Sequence, residues 1–192
     1  MIRRSPRPVL LAAALGLALA ACGADPAPAA DPASATNASS ALVMTADGVG
    51  ALGAETPFDT AAVRAALPAG FAVEVQSAET DGQAVPVVWA LRDGLLVLEV
   101  YADDDGRVGR IDASSDQVEG PEGARTGQTF AELDGGRMRC EPGEHGLGDR
   151  VVCRARRGAV GYVFAHSAPT GTMPDDDQLA DAILERLVWR VD

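Results

Sequence analysis

The chain has 192 residues, with 28 acidic side chains against 16 basic ones and a formal net charge of −12 at pH 7. So acidic a balance excludes a nucleic-acid binder, which needs a basic footprint, and it argues against a domain that lies flat on anionic lipid. All the basic residues are arginines and none is lysine, which reads as a genomic compositional bias rather than a functional signal.

The N-terminus carries the clearest signal. Arg3, Arg4 and Arg7 form a positive segment, and residues 9–21 are an apolar run, Val9 followed by Leu, Ala and Gly. That run is too short for a permanent membrane span, which needs about 20 apolar residues, but it suits the apolar region of a secretory leader. It ends in Leu19-Ala20-Ala21-Cys22, a full match to the bacterial lipobox. Small residues fit the peptidase, and the thiol of Cys22 is the group to be acylated. Residues 1–21 are therefore expected to be a lipoprotein signal peptide, with Cys22 lipidated after cleavage. Several acyl chains hold far more firmly than one, since each buried CH₂ adds roughly 0.8 kcal/mol. Gly23 follows the cysteine where Asp would favour inner-membrane retention, so the expected location is the periplasmic side of the outer membrane.

Residues 22–40 are Cys22 followed by Ala, Pro, Ser, Asp and Asn without hydrophobic period, as expected of a flexible tether. Residues 41–192 have the length of one domain. Thr56-Pro57 reads as a helix cap followed by Pro at the first helical position, with Phe58, Ala62, Val63 and Ala66 turned inward. From Phe71 the period changes to two. Strands are expected from Phe71, over residues 85–91 and 95–101, and over 108–113, separated by Asp81-Gly82, Asp93-Gly94 and the 103–106 turn. These tight turns imply an antiparallel meander. Phe130, Ala131 and Leu133 read as a short helix. Residues 137–141 and 150–156 bracket a Gly- and Pro-bearing loop, with one cysteine on each side. In an oxidising compartment Cys140 and Cys153 are expected to pair and to lock this hairpin. Residues 160–166 form another strand. Residues 175–181 resemble the acidic first turns of a helix, and 187–191 a closing strand. The mixed order without repeated βαβ units predicts an α+β domain, mainly an antiparallel meander with two or three short helices and one disulfide.

Gly48-Val49-Gly50, Thr56-Pro57, the 109–112 segment Gly-Arg-Ile-Asp, the 127–130 segment Gly-Gln-Thr-Phe, the Cys140/Cys153 pair, the 173–179 segment Met-Pro-Asp-Asp-Asp-Gln-Leu and Val188-Trp189-Arg190 occur in that order. The ordered series, beside a lipobox, resembles the RpoE (sigma-E)-regulated lipoprotein family over roughly residues 46–190. The resemblance implies an outer-membrane lipoprotein of unknown molecular function expressed under envelope stress. It implies no reaction and no catalytic residues. The absence of lysine and the two residues after Arg190 depart from the family pattern.

No catalytic set stands out. His145 lies in the disulfide loop beside Glu144, and His166 ends a strand next to Ser167, which must point to the opposite face. No Gly-x-Ser-x-Gly elbow exists. Two isolated histidines are too few for zinc. Asp103–Asp105 and Asp175–Asp177 read as turn and cap acids rather than calcium ligands, which need six to eight oxygens from a shaped loop. Trp89, Tyr101, Tyr162, Phe164 and Trp189 read as core residues of strands. Arg154, Arg156 and Arg157 form a basic cluster, read as a solvated strand edge, or more sharply as a contact for phosphate or another acidic envelope group. The sequence therefore points to a non-enzymatic envelope binding or maintenance module. Membrane lipid holds it, an envelope protein or cell-wall component is its expected partner, and no cofactor or metal is expected. The alternative is a carboxylate-based hydrolase acting on an envelope substrate.

Overall fold

A computed structural model describes residues 41–190, apart from 81, 145–146, 148–149, 156–157 and 167–172. The leader, Cys22 and the tether therefore lie outside the described residues, as do Asp81, His145, Arg156, Arg157 and Ser167.

Two strands open the domain, β1 (Leu42–Thr45) and β2 (Gly48–Val49). Helix α1 (Thr60–Ala66) follows, capped by Asp59 rather than Thr56: the Asp59 carboxylate accepts the N–H groups of Ala61 and Ala62, both at 2.8 Å. A carboxylate at the helix start satisfies two orphan donors at once and faces the positive end of the helix. Thr56 is used elsewhere, its hydroxyl accepting the Gly53 N–H and its carbonyl the Val108 N–H.

A four-strand meander comes next: β3 (Phe71–Thr80), β4 (Gln83–Arg92), β5 (Leu95–Ala102) and β6 (Val108–Ala113), each antiparallel to the one before. The two-residue turn between β4 and β5 has positive φ at both Asp93 (54°) and Gly94 (77°), the twist that suits a tight hairpin. After β7 (Val118–Glu119) a second meander runs through β8 (Arg139–Pro142), β9 (Val151–Arg154), β10 (Val160–Phe164) and β11 (Leu184–Arg190), with helix α2 (Asp176–Leu179) before its last strand. The two meanders join where β11 pairs antiparallel with β6, Ile111 opposite Trp189, giving one eight-stranded sheet in the order β3-β4-β5-β6-β11-β10-β9-β8. A small second sheet sets β1 between β2, antiparallel, and β7, parallel.

The main core lies on one face of the large sheet. The row Val88, Val100, Ile111, Trp189 and Val160 crosses five strands of it, and it is closed by the small sheet, α1 and the segment around Phe130. The Trp189 indole N–H donates to the Ala46 carbonyl at 2.8 Å, tying the last strand to the first hairpin. Cys140 and Cys153 face each other across β8 and β9 and form a disulfide.

The expected α+β class is overturned: the domain is mainly β. Among the described residues the two α-helices have seven and four residues and bury one side chain each, Val63 and Leu179, so neither forms a layer. The second wall of the core is the small sheet and irregular backbone. The helix expected around Phe130 is a series of turns. There Phe130 and Ala131 donate their N–H groups to the carbonyls of Ala182 and Ala180, tertiary partners that replace the helical ladder.

Candidate functional site

Strand periodicity places a second set of side chains on the opposite face of the large sheet. Trp89, Glu99, Asp112 and Val188 lie opposite one another across β4, β5, β6 and β11, and Tyr101, Arg110 and Arg190 form the adjacent row. Asp112 is 1% exposed. Its carboxylate accepts from Arg110 Nε at 2.5 Å, from Arg110 Nη2, and from Arg186 Nη1 at 2.9 Å. Arg186 Nη1 also stands 4.0 Å from Glu99, and the Arg110 guanidinium lies over the Tyr101 ring at 4.9 Å.

The fields follow from this geometry. Burial pushes the Glu99 carboxyl above its ordinary value; Arg186 opposes that and Asp112 reinforces it. Burial, with the charges of Glu99 and Asp112, pushes the Tyr101 phenol up to about 12. Burial works against the Arg110 cation, but its hydrogen bonds to Asp112 and the charges of Asp112, Tyr101 and Glu99 together raise it. Arg190 is lowered, by burial first and then by Arg110. Among the described residues the Trp89 indole N–H and Arg190 Nε are buried with no hydrogen-bond partner at bonding distance, although Trp89 approaches Glu99 closely enough to favour that carboxylate's ionised form. Beside Arg190, lined also by Pro142, Leu147 and Val152, lies a cleft of about 90 Å³.

A larger groove of about 630 Å³ opens at the small sheet. Val43, Met44 and Ala46 form one wall, Pro121 and its flanking glycines another, and Val160 and Tyr162 the floor. The 120–123 turn is shaped for close approach: a Cβ on Gly120 would sit 2.9 Å from a Leu187 methyl, and Glu122 adopts a left-handed φ of 58°. The Tyr162 hydroxyl donates to the Pro121 carbonyl at 3.5 Å. Burial, with the Glu122 charge, pushes that phenol up to about 12. Glu119, on the rim, is ion-paired with Arg125.

The residues singled out in sequence distribute unevenly. Tyr162, Phe164 and Trp189 lie in the core as expected, but Trp89 and Tyr101 lie on the charged face. Arg154 sits on an inner strand, 2.5 Å from Glu141, not on a solvated edge. The Asp103 carboxylate accepts the N–H groups of Asp105 and Arg107, and Asp175 caps α2 through a reciprocal capping box with Gln178. Among the described residues no three His, Cys, Asp or Glu are grouped to hold a metal, and no helix is long and apolar enough to cross a membrane. Sequence reasoning missed both the groove and the charged face. A signal for the latter was present: Arg110/Asp112 and Arg186/Arg190 recur at even spacing within otherwise apolar strands.

The chain is thus a mainly β domain with an apolar groove on one side and a charged face on the other. It belongs to the family described as "protein of unknown function (DUF1131)", matched over residues 29–191. It is similar to the uncharacterized protein YfeY of Escherichia coli (strain K12), 26% identical over 155 residues that cover 79% of this chain and 81% of that one. The crystal structure of YfeY from Escherichia coli shares the fold, with a TM-score of 0.60 at 24% identity over 78% of this chain and 99% of that one.

Proposed function

We propose that this protein is a lipoprotein of the bacterial envelope, anchored through Cys22 to the periplasmic side of the outer membrane, and that it acts as a non-enzymatic binding module in envelope maintenance. The groove beside β1 is the observation that carries the binding role. It is large enough for a ligand or a partner's side chains, it is walled mainly by apolar residues, and among the described residues its lining holds no histidine, cysteine or serine. The acids that line the groove are Glu122 and Glu119, the latter held in an ion pair with Arg125; a carboxylate engaged by an arginine is poorly placed to act as acid or base, which favours binding over carboxylate-based hydrolysis. The lipobox supports the anchor, and the resemblance to RpoE-regulated lipoproteins supports a role under envelope stress.

Labelled palmitate should mark the wild-type protein in cells and fail to mark Cys22→Ser; an unmarked wild type would remove the anchor. Pull-down from envelope extracts should recover a partner that is lost with Val43→Asp. That change places a charge on a groove residue already 48% exposed, so the fold should tolerate it. Recovery unchanged by the substitution would remove the groove from the role.

A further inference from the structure

We propose that the open edge of β3, over Val75–Glu79, is a docking site for an extended basic segment of another protein, which adds antiparallel to the large sheet as a further strand. β3 is the last strand on one side of that sheet and β8 the last on the other. A bare edge offers unpaired N–H and C=O groups, and proteins blunt it with short strands, proline, bulges, positive charge or a covering element. β8 is blunted in this way: it has four residues, ends in Pro142 and is stapled to β9 by the Cys140–Cys153 disulfide. β3 runs for ten residues with no proline, no basic residue and no register shift against β4.

Strand alternation decides which main-chain groups face outward. The Val73 carbonyl accepts from Arg64 Nη2 at 2.9 Å, so Val73 points away from β4 and Arg64 of α1 covers the edge there. Val75, Ser77 and Glu79 follow at even spacing and point the same way. Ser77 agrees with this, since it stands opposite Pro86, whose missing N–H suits a pair that exchanges no hydrogen bonds. Among the described residues the N–H groups of Val75, Ser77 and Glu79 have no partner. All three residues are exposed, Val75 by 57%.

Charge selects the occupant. Glu74 and Glu79 are exposed and, among the described residues, neither is ion-paired; Glu74 accepts the neutral Gln76 amide at 3.0 Å. A second copy paired on this edge would bring two such carboxylates from each chain to one seam, and like charges across a strand pair destabilise it. A basic strand neutralises them instead. The pleat sets the spacing: the positions opposite Glu74 and Glu79 are five residues apart and project to opposite faces, and the position opposite Val75 takes an apolar side chain. Main-chain bonds supply the affinity and these side chains the selectivity. The edge shares no residue with the apolar groove and does not depend on the membrane anchor.

The test is a titration of isotope-labelled full-length protein with the acetylated, amidated hexapeptide Lys-Val-Thr-Thr-Val-Lys, followed by amide NMR and hydrogen exchange. The Val75, Ser77 and Glu79 amides should exchange rapidly in the free protein and slow as the peptide saturates. Methylating the amide nitrogens of the third and fifth peptide residues keeps the charge but removes the donors, and it should weaken binding roughly tenfold. Ser77→Pro removes an N–H that β4 does not use, so the fold should tolerate it, and the loss of peptide affinity should be similar. Glu79→Arg should weaken the lysine peptide by roughly two- to fivefold and strengthen its glutamate analogue, while Val43→Asp in the groove should change nothing. Protected edge amides in the free protein, absence of saturation, undiminished binding of the methylated peptide, or equal binding of the glutamate analogue to wild type would each overturn the proposal. So would a dimer in sedimentation that Ser77→Pro abolishes, which would give the edge to a second copy, or loss of binding with Val43→Asp, which would place the peptide in the groove.

Discussion

Asp112→Ala probes the centre of the charged face most directly. The carboxylate is 1% exposed and receives three charge-assisted hydrogen bonds from two arginines whose side chains are themselves 14% and 31% exposed. Each such bond contributes about 1.5–3 kcal/mol when measured singly. Three in one network do not add, and the partial exposure of Arg186 discounts its share. The dominant loss is the anion shared by two guanidiniums, with Glu99 at 4.0 Å from Arg186 as the remaining weaker partner; removal of one partner from a buried pair costs about 3–5 kcal/mol. In a domain of this size that lowers the Tm by roughly 6–20 °C. Asp112→Asn keeps one acceptor oxygen and the side-chain shape, so it should fall between wild type and Ala. Urea denaturation at pH 7 should show a lower midpoint with unchanged m value for both. An Asp112→Ala protein within about 1 kcal/mol of wild type, far below the cost of stranding buried charge, would refute the reasoning.

Glu99 predicts a pH dependence. Its carboxyl is raised from an ordinary 4.5, chiefly by burial, so the folded state holds the proton more tightly than the unfolded one. The stability it contributes is present below pH 4.5 and is lost as pH rises through the folded value. Urea unfolding between pH 4 and 7 should therefore show Glu99→Gln gaining on wild type as pH rises; a parallel pair of curves would contradict this. Replacing Cys140 and Cys153 together by Ala frees a loop with a sequence separation of 13, and calorimetry should register a loss of roughly 3 kcal/mol. Gly135→Ala would drive a Cβ to 2.3 Å from the Phe130 ring, which packs edge-on to Phe164 at 5.3 Å. Overpacking of this kind costs about 1–3 kcal/mol or more, and a melting temperature equal to wild type would show that the ring can move aside.

What the sequence determined by itself is local. Two-residue alternation and the Asp-Gly turns specify the hairpins from β3 to β6, because register across a tight turn depends on a few adjacent dihedrals. The same holds for the cysteine hairpin, where Cys140 and Cys153 stand opposite on neighbouring strands, and for the capped acidic start of α2. Where sequence reasoning failed, distant partners intervened. The Phe130 segment yields its helical ladder to the carbonyls of Ala180 and Ala182, and Thr56 loses the cap to Asp59 once its own groups bond to Gly53 and Val108. The seam between β6 and β11 joins residues more than seventy positions apart, and no local pattern encodes it. That one pairing decides which arginines meet Asp112. Likewise the groove exists only because β1 lies along β7 and beside Tyr162. Strand periodicity says which residues share a face; only strand order, set by long-range packing, says which of them touch.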